Sequence, residues 1–184
     1  MKTVLMSIHP KWCKLIFSGE KTIEVRKTAP KLETPFTVYV YQTKIKFKVK
    51  NWQENFQSIV FTPNGGVEEG SGKVIGSFVC NSATCCQAYY GEGGEKHLTN
   101  TFGIDLKRAC LTEDELFNYI IGKHGEIGTG WLWHITAPKL YDKPKELGEF
   151  GNYKTEWIQW YHSDDKVFCP LTRPPQSWCY VEEL

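Results

Sequence analysis

From Gly19 onward the sequence reads Gly-Glu-Lys-Thr-Ile-Glu-Val-Arg. In its second half, polar and apolar side chains alternate. Strict alternation of this kind predicts a β-strand, in this chain over residues 21–27, whose isoleucine and valine face a core. Glu24 and Arg26 then lie side by side on the opposite face, so that an acid and a base share one surface. Because a strand needs partner strands, the chain is constrained to build a sheet around this segment.

The rest of the sequence supplies such partners. A short apolar strand precedes the segment, and Pro10 begins a helix that Gly19 ends. Thr112 and Glu115 form a capping box that predicts a helix reaching Gly125. Further strands are predicted over 36–42, 44–50, 57–62, 73–80, 131–140 and 177–181, with a turn or short helix over 144–150 and a helical piece over 155–162. This content predicts an α+β class with a mixed sheet or barrel.

Composition narrows the kind of protein. With 184 residues, no internal repeat and no long linker, a single domain over 1–184 is expected. A formal net charge of +1 excludes a polyelectrolyte mode of binding, so any basic surface must be local. No apolar window is long enough for a membrane span, and the amino-terminal apolar run is too short for a signal peptide. Seven scattered cysteines do not suggest a disulfide framework, so we expect a cytoplasmic, reduced protein.

The charged residues of the first motif admit two interpretations. Glu24 and Arg26 could form a structural ion pair, or Arg26 could bind a phosphate or base edge while Glu24 orients a base amino group. Lys21 could be a surface lysine that compensates the helix dipole, or part of the same site. The lysines at 44, 46, 48 and 50 could protect an edge strand or track a phosphate backbone, and Trp52, Tyr39 and Tyr41 could pack or stack on bases.

Other candidates are weaker. His134 is either a buried, hydrogen-bonded histidine or a general base, and Ser7, His9, Arg173 and Trp178 flank the same elements as secondary ligand-binding candidates. Cys80, Cys85, Cys86 and His97 lack the spacing of a zinc site, so no metal is expected. There is no phosphate-binding glycine loop or dinucleotide fingerprint, and no cofactor is expected.

Several of these elements, in order, resemble the ASCH domain family of the PUA-like superfamily. The pattern Gly-x-Lys-x-x-Glu-x-Arg after a first helix matches Gly19, Lys21, Glu24 and Arg26, and the strand at 72–78 follows it. The segments Trp-Leu-Trp-His-Ile at 131–135 and Cys-Pro-Leu-Thr-Arg-Pro-Pro-Gln-Ser-Trp at 169–178 resemble those of small bacterial and phage members. The stretch 81–128 looks like a helical insertion.

The resemblance implies a PUA-like mixed β-barrel with flanking helices and a cleft beside the first helix, lined by Lys21, Glu24 and Arg26. It also implies binding of RNA or of a modified nucleotide or nucleoside, without a membrane. Some small members are amidohydrolases of N4-acylcytidine that carry a threonine nucleophile where this chain has Glu24; Thr22 is the nearby alternative. Other members are described as ribonucleases.

Two functions are therefore open. The first is an RNA- or nucleotide-binding module. The second is a hydrolase of a modified nucleoside or of RNA, with Lys21 as activated amine or general base and Glu24 as acid or base. A third, weaker interpretation makes the 81–128 stretch a protein-interaction surface that could be deleted without loss of folding.

Overall fold

A computed structural model describes residues 3–44, 71–101, 103–122, 125–158 and 161–183. These residues form an architecture dominated by β-strands, with few helices. The strands are β1 (Thr3–Ile8), β2 (Ile23–Arg26), β3 (Phe36–Gln42), β4 (Val74–Tyr90), β5 (Lys96–Thr99), β6 (Ile127–Lys145), β7 (Phe150–Ile158), β8 (Tyr161–Pro170) and β9 (Trp178–Glu183). The helices are α1 (Pro10–Phe17), α2 (Gly103–Ala109) and α3 (Glu113–Ile121), with a 3-10 turn at Leu147–Glu149. No helix in the described ranges has the length and apolar character that a membrane crossing requires.

The chain divides into two compact units, which are described separately. Unit 1 comprises Met1–Cys13, Tyr39–Ser77 and Leu140–Leu184, and unit 2 comprises Lys14–Val38 and Phe78–Lys139. The strands β3, β4 and β6 contribute residues to each unit. The single domain over 1–184 with an insertion at 81–128 stays a prediction.

Unit 1 contains the strand succession β3, β1, β9, β7 and β8. Strand β1 pairs antiparallel with β9, from Thr3 opposite Val181 to Met6 opposite Trp178. The predicted closing strand is thereby confirmed as β9. The apolar core of unit 1 contains buried side chains from several strands, namely Leu5, Tyr41, Val74, Phe150 and Val181. Tyr39 packs against Phe150 with ring centroids 4.8 Å apart, and Tyr41 belongs to the core itself. Tyr39 and Tyr41 therefore both take part in packing.

Unit 2 contains the succession β2, β6 and β4, with β5 paired to β4. Strand β2 pairs antiparallel with β6, from Ile23 opposite His134 to Arg26 opposite Trp131. Helix α3 begins at the predicted capping box: the N–H of Glu115 donates to the Thr112 hydroxyl, and the Glu115 carboxylate accepts from the N–H of Thr112. The helices and strands enclose one apolar cluster: Ile23, Val25, Cys86, Ala88, Ala109, Leu116, Phe117, Ile120 and Leu132.

Most of that cluster lies between residues 81 and 128. Phe117 is fully buried, and Leu116 is 1% exposed. A segment that supplies a core in this way cannot be removed without exposing β2 and β6, so we now expect its deletion to unfold unit 2. This expectation differs from the interpretation of 81–128 as a protein-interaction surface that could be deleted without loss of folding.

The structure corrects two local predictions and assigns one region for which none was made. Residues 155–158 lie in β7 and 161–162 in β8 instead of forming a helix, because this run of aromatic and β-branched side chains favours a strand and pairs with its neighbour. Helix α3 ends at Gly122, whose N–H donates to Asn118 O, and not at Gly125. Within 85–103, where the sequence predicts no element, the described residues include the end of β4, strand β5 and the start of α2.

Among the strands that the structure describes, β2 and β8 are the two ends of the succession, so these strands do not form a closed barrel. The closed barrel therefore stays a prediction. The predicted strands at 44–50 and 57–62, the lysines at 46, 48 and 50, and Trp52 lie outside the described residues, whereas Lys44 is described and exposed.

Candidate functional site

The bend after α1 brings Lys21 towards the body of unit 2. Gly19 has φ +82°, a left-handed conformation that glycine adopts without a steric cost, and its N–H donates to Ile16 O. The N–H of Lys21 donates to Leu15 O at 2.8 Å. The expected glycine stop and turn are confirmed, and they fix where the Lys21 side chain enters the fold.

Lys21 is buried, with 2% of the residue exposed. Its Nζ donates to the backbone oxygen of Ala109, at the end of α2, at 2.6 Å. The same Nζ lies 3.4 Å from Oε2 of Glu24. The interpretation of Lys21 as a surface lysine is therefore wrong, because α2 covers it and supplies a carbonyl partner.

Glu24 joins Lys21 to Arg26. Its Oε1 lies 3.0 Å from the Arg26 guanidinium, while its Oε2 faces Lys21. The side chains are 3%, 8% and 11% exposed at Lys21, Glu24 and Arg26, respectively. We call these three residues the charged triad. With every member ionised, the triad itself carries two positive charges and one negative charge, and its side chains are largely removed from water.

Burial sets the electrostatic state of Lys21. Removal from water lowers the pKa of Lys21 below its usual value, and the charge of Glu24 partly opposes this effect. The amine consequently loses its proton at a lower pH than an exposed lysine does. This is the property that a lysine needs to act as a base, although the same burial restricts access to it.

An exposed aromatic side chain lies beside the Arg26 end of the triad. Tyr119 of α3 is 41% exposed, and the Nζ of Lys27 lies 5.8 Å from its ring centroid. Burial of the hydroxyl raises the pKa of Tyr119, and the charges of Arg26 and Glu24 also act on it. The sequence places Tyr119 in the apolar stripe of α3 and gives no sign of this position, because the packing of α3 against β2 is a long-range contact.

His134 does not join the triad. In the β2–β6 register Ile23 is opposite His134 and Glu24 is opposite Trp133, so His134 and Glu24 point to opposite faces of the strands. His134 is half-buried, and its Nε2 lies 3.3 Å from the hydroxyl of Thr84. Burial lowers the pKa of His134, and the charge of Arg108 lowers it further.

The secondary candidates lie in unit 1. Ser7 is 7% exposed, and its hydroxyl donates to Pro175 O at 2.7 Å, in the segment that leads to the half-buried Trp178. His9 is exposed, and its Nδ1 accepts from the N–H of Lys11 at the start of α1. Arg173 is exposed. Their roles in ligand binding stay predictions.

The cysteines show no disulfide, since all seven lie in the described residues and are free thiols. Burial raises the pKa of Cys80 and of Cys86 to about 11 each, so both are protonated at neutral pH. In the ranges that the structure describes, no three Cys, His, Asp or Glu side chains come together as metal ligands.

Comparison with known proteins gives a family and a fold. A model of the ASCH domain matches residues 6–106, a range that includes the charged triad. A crystal structure of ASCH from Zymomonas mobilis is 17% identical, with a TM-score of 0.48, and the match covers 79% of this chain and 73% of that one. A serine-to-alanine mutant of the Zymomonas mobilis protein is 17% identical, with a TM-score of 0.54 and coverage of 98% and 88%. No curated protein matches the sequence. The similarity to the mutant structure supports the fold alone.

Proposed function

The chain belongs to the ASCH domain family, and from that premise we propose that unit 2 binds single-stranded RNA or a modified nucleotide at the charged triad. The observation that carries the proposal is that two cations share one carboxylate, with Lys21 at Oε2 and Arg26 at Oε1 of Glu24. Little water screens these two cations, so they would interact strongly with a ligand. A phosphate oxygen or the acceptor edge of a base is the chemical group that such cations bind.

The solvent exposure of the triad increases from one end to the other. Exposure rises from 3% at Lys21 to 11% at Arg26, and the neighbouring Lys27 and Tyr119 are exposed. A ligand would therefore reach the Arg26 end, where the planar guanidinium offers several donors. Lys21, the most buried member, would then hold Glu24 in place and add positive charge without contacting the ligand directly. Glu24 keeps further lone pairs that could accept from a base amino group.

The test is a binding measurement on folded variants. Fluorescence anisotropy of a labelled single-stranded RNA, and calorimetry with nucleoside monophosphates, would be compared for the wild type, Arg26→Gln and Lys107→Gln. Lys107 is an exposed cation of α2, so its variant removes one charge without touching the triad. We expect Arg26→Gln to weaken binding by about tenfold or more, because a hydrogen bond to a charged group contributes about 1.5–3 kcal/mol.

Salt dependence gives a second readout. If Arg26 contacts a phosphate, its loss should reduce the slope of log affinity against log salt by about 0.7 for a single strand. Circular dichroism would verify that each variant is folded. Equal binding by the wild type and folded Arg26→Gln would exclude this placement of the ligand, as would an equal loss in Lys107→Gln.

A hydrolase is the second candidate, and one observation favours it. Burial lowers the pKa of Lys21, and its Nζ lies 3.4 Å from Glu24, which places a potential base next to a carboxylate. The substrate class would be a modified nucleoside such as N4-acetylcytidine, or RNA. Incubation of the wild type and Lys21→Met with N4-acetylcytidine, followed by chromatography for cytidine, separates the candidates. Turnover by the wild type alone favours the hydrolase, whereas saturable binding without product favours the binding module.

Family membership also supports two finer expectations. We propose that the strands close into the PUA-like barrel of the family, which an experimental structure of the full chain would test. The seven free thiols are consistent with a reducing, cytoplasmic location, because disulfides form mainly in oxidising compartments. Localisation of a tagged chain in its host would test this.

A further inference from the structure

A second polar cluster lies in unit 2, on the side of β2 and β6 that His134 faces. It consists of Thr84 of β4, His134 of β6, and Asp105 and Arg108 of α2. The triad member Glu24 faces the other side of the same strands, since it is paired with Trp133 and not with His134. The cluster is therefore separate from the site of the proposed function.

The central contact joins a hydroxyl to an imidazole. The Oγ1 of Thr84 lies 3.3 Å from the Nε2 of His134, across neighbouring strands. Thr84 is exposed, whereas His134 is half-buried, so the hydroxyl is accessible while the ring is held by its surroundings. With the ring proton on Nδ1, Nε2 accepts the hydroxyl proton, and this is how a histidine activates a hydroxyl nucleophile.

Arg108 brings an oriented cation to this cluster. Its Nε donates to the Thr22 hydroxyl at 3.1 Å, and its backbone oxygen accepts from the N–H of Thr22 at 2.9 Å. Its NH1 lies 3.9 Å from Asp105, and its side chain is 42% exposed. The guanidinium is thus anchored on one edge and open on another, where it could bind an anionic oxygen.

The charges around His134 favour its neutral form. Burial is the largest effect and lowers the pKa of His134, and Arg108 lowers it further, while Asp105 acts in the opposite sense. A neutral imidazole is the form that can accept a proton from a hydroxyl at neutral pH.

We propose that Thr84 and His134 form a nucleophile–base pair that hydrolyses a small carboxylic ester, with Arg108 binding an anionic oxygen of the substrate. Oγ1 of Thr84 attacks the carbonyl carbon, and its proton passes to Nε2 of His134. The bond from carbon to the leaving alcohol breaks, and the alcohol takes that proton. Water then attacks the acyl-threonine and gives a proton to His134, which returns it to Oγ1 as the acid leaves.

The chain offers a matched control for the nucleophile. Thr136 is also exposed and lies on β6, but its hydroxyl donates to the backbone oxygen of Val79 and not to an imidazole. Thr136→Ala removes the same chemical group from the same surface without affecting the Thr84–His134 contact.

The experiment uses p-nitrophenyl acetate as the probe, with mass spectrometry and peptide mapping of the quenched protein. We expect the wild type and Thr136→Ala to release nitrophenol above the uncatalysed rate and to carry one acetyl group on Thr84. Thr84→Ala should lose both signals, and Thr84→Ser should retain them. His134→Gln should slow release by a factor of about 100 or more, the usual contribution of a general base.

The pH profile separates a catalytic role of His134 from a structural one. The rate should fall as pH drops through the pKa of His134, below the usual 6.5, because the protonated ring cannot accept a proton. In Arg108→Gln the inflection should move to higher pH, since a charge that favours the neutral ring has been removed. No release by the wild type, acetylation elsewhere than Thr84, or an unchanged inflection in Arg108→Gln would overturn the proposal. None of these outcomes depends on whether the charged triad binds a nucleotide.

Discussion

Replacement of Glu24 by glutamine tests how far the charged triad stabilises unit 2. The amide keeps the size of the carboxylate but removes its charge, so Lys21 and Arg26 each lose their ion pair with Glu24. Both cations are at least 89% removed from water, since their side chains are only 3% and 11% exposed. Solvent therefore cannot screen their repulsion effectively.

The expected cost follows from this burial. Removing one partner of a buried ion pair costs about 3–5 kcal/mol, because the remaining charge is left uncompensated. For chains of this size each kcal/mol lowers the melting temperature by roughly 2–4 °C, so Glu24→Gln should lower it by about 6–20 °C. Urea unfolding followed by circular dichroism measures the free energy, and thermal unfolding measures the temperature.

The matched control is Asp114→Asn in the same unit. Asp114 also forms an ion pair, with Lys96, but the two side chains are 75% and 40% exposed. An exposed pair contributes about 0–1 kcal/mol, so this variant should unfold almost as the wild type does.

A double-mutant cycle isolates the interaction within the triad. Lys21→Met combined with Glu24→Gln removes a cation together with the carboxylate, so the double variant should lose less free energy than the two single variants added together. Residues in direct contact usually show a coupling of about 0.5–3 kcal/mol. A cost of Glu24→Gln within about 1 kcal/mol of that of Asp114→Asn, or strict additivity in the cycle, would refute this account of the triad.

Three further predictions concern the same unit or its neighbours. Tyr119→Ala should weaken the binding of a nucleotide but not that of ribose 5-phosphate, because stacking contributes about 1–3 kcal/mol per base. Tyr119→Phe keeps an aromatic ring and should retain binding. Calorimetry measures both, with Tyr90→Ala as the control, since the Tyr90 ring is similarly exposed at 45%. The free energy of unfolding of the wild type, taken relative to that of Lys21→Met, should rise with pH between the lowered pKa of Lys21 and its usual 10.5. In this range the unfolded chain binds the proton that the folded chain has lost, and equilibrium unfolding measures the change. Gly128→Ala should destabilise the protein by about 1–3 kcal/mol, since its Cβ would lie 2.5 Å from Ile120 O, whereas Gly148→Ala has nothing within 4 Å and should be neutral by urea unfolding.

The sequence could predict those parts of the site that depend on local order. Alternation puts Glu24 and Arg26 on one face, and the glycine bend brings in Lys21, as the structure confirms. The depth of Lys21 could not be predicted, because Ala109 O, which binds its amine, lies 88 residues away in the chain. Without knowledge of where α2 packs, an exposed lysine and a buried one have the same sequence pattern.

The same limit applies to the other elements. The capping box of α3 is local and was predictable, whereas the contact between Thr84 and His134 joins residues 50 apart. The mistaken helix over 155–162 has a different cause. Its apolar and aromatic residues fit a helical spacing, but pairing of β7 with β8 decides in favour of strands. Periodicity in a short window cannot include a partner strand.

The geometry of Glu24 also bears on the choice between binding and covalent catalysis. A carboxylate nucleophile needs an oxygen whose lone pairs can approach a carbonyl carbon. In this chain Oε1 faces Arg26 and Oε2 faces Lys21, so attack by either oxygen would separate a buried charge pair. The same arrangement favours binding, because an incoming phosphate can interact with the cations while both pairs with Glu24 stay intact. If the triad does support hydrolysis, Lys21 is therefore the better base, and Glu24 is expected to position it.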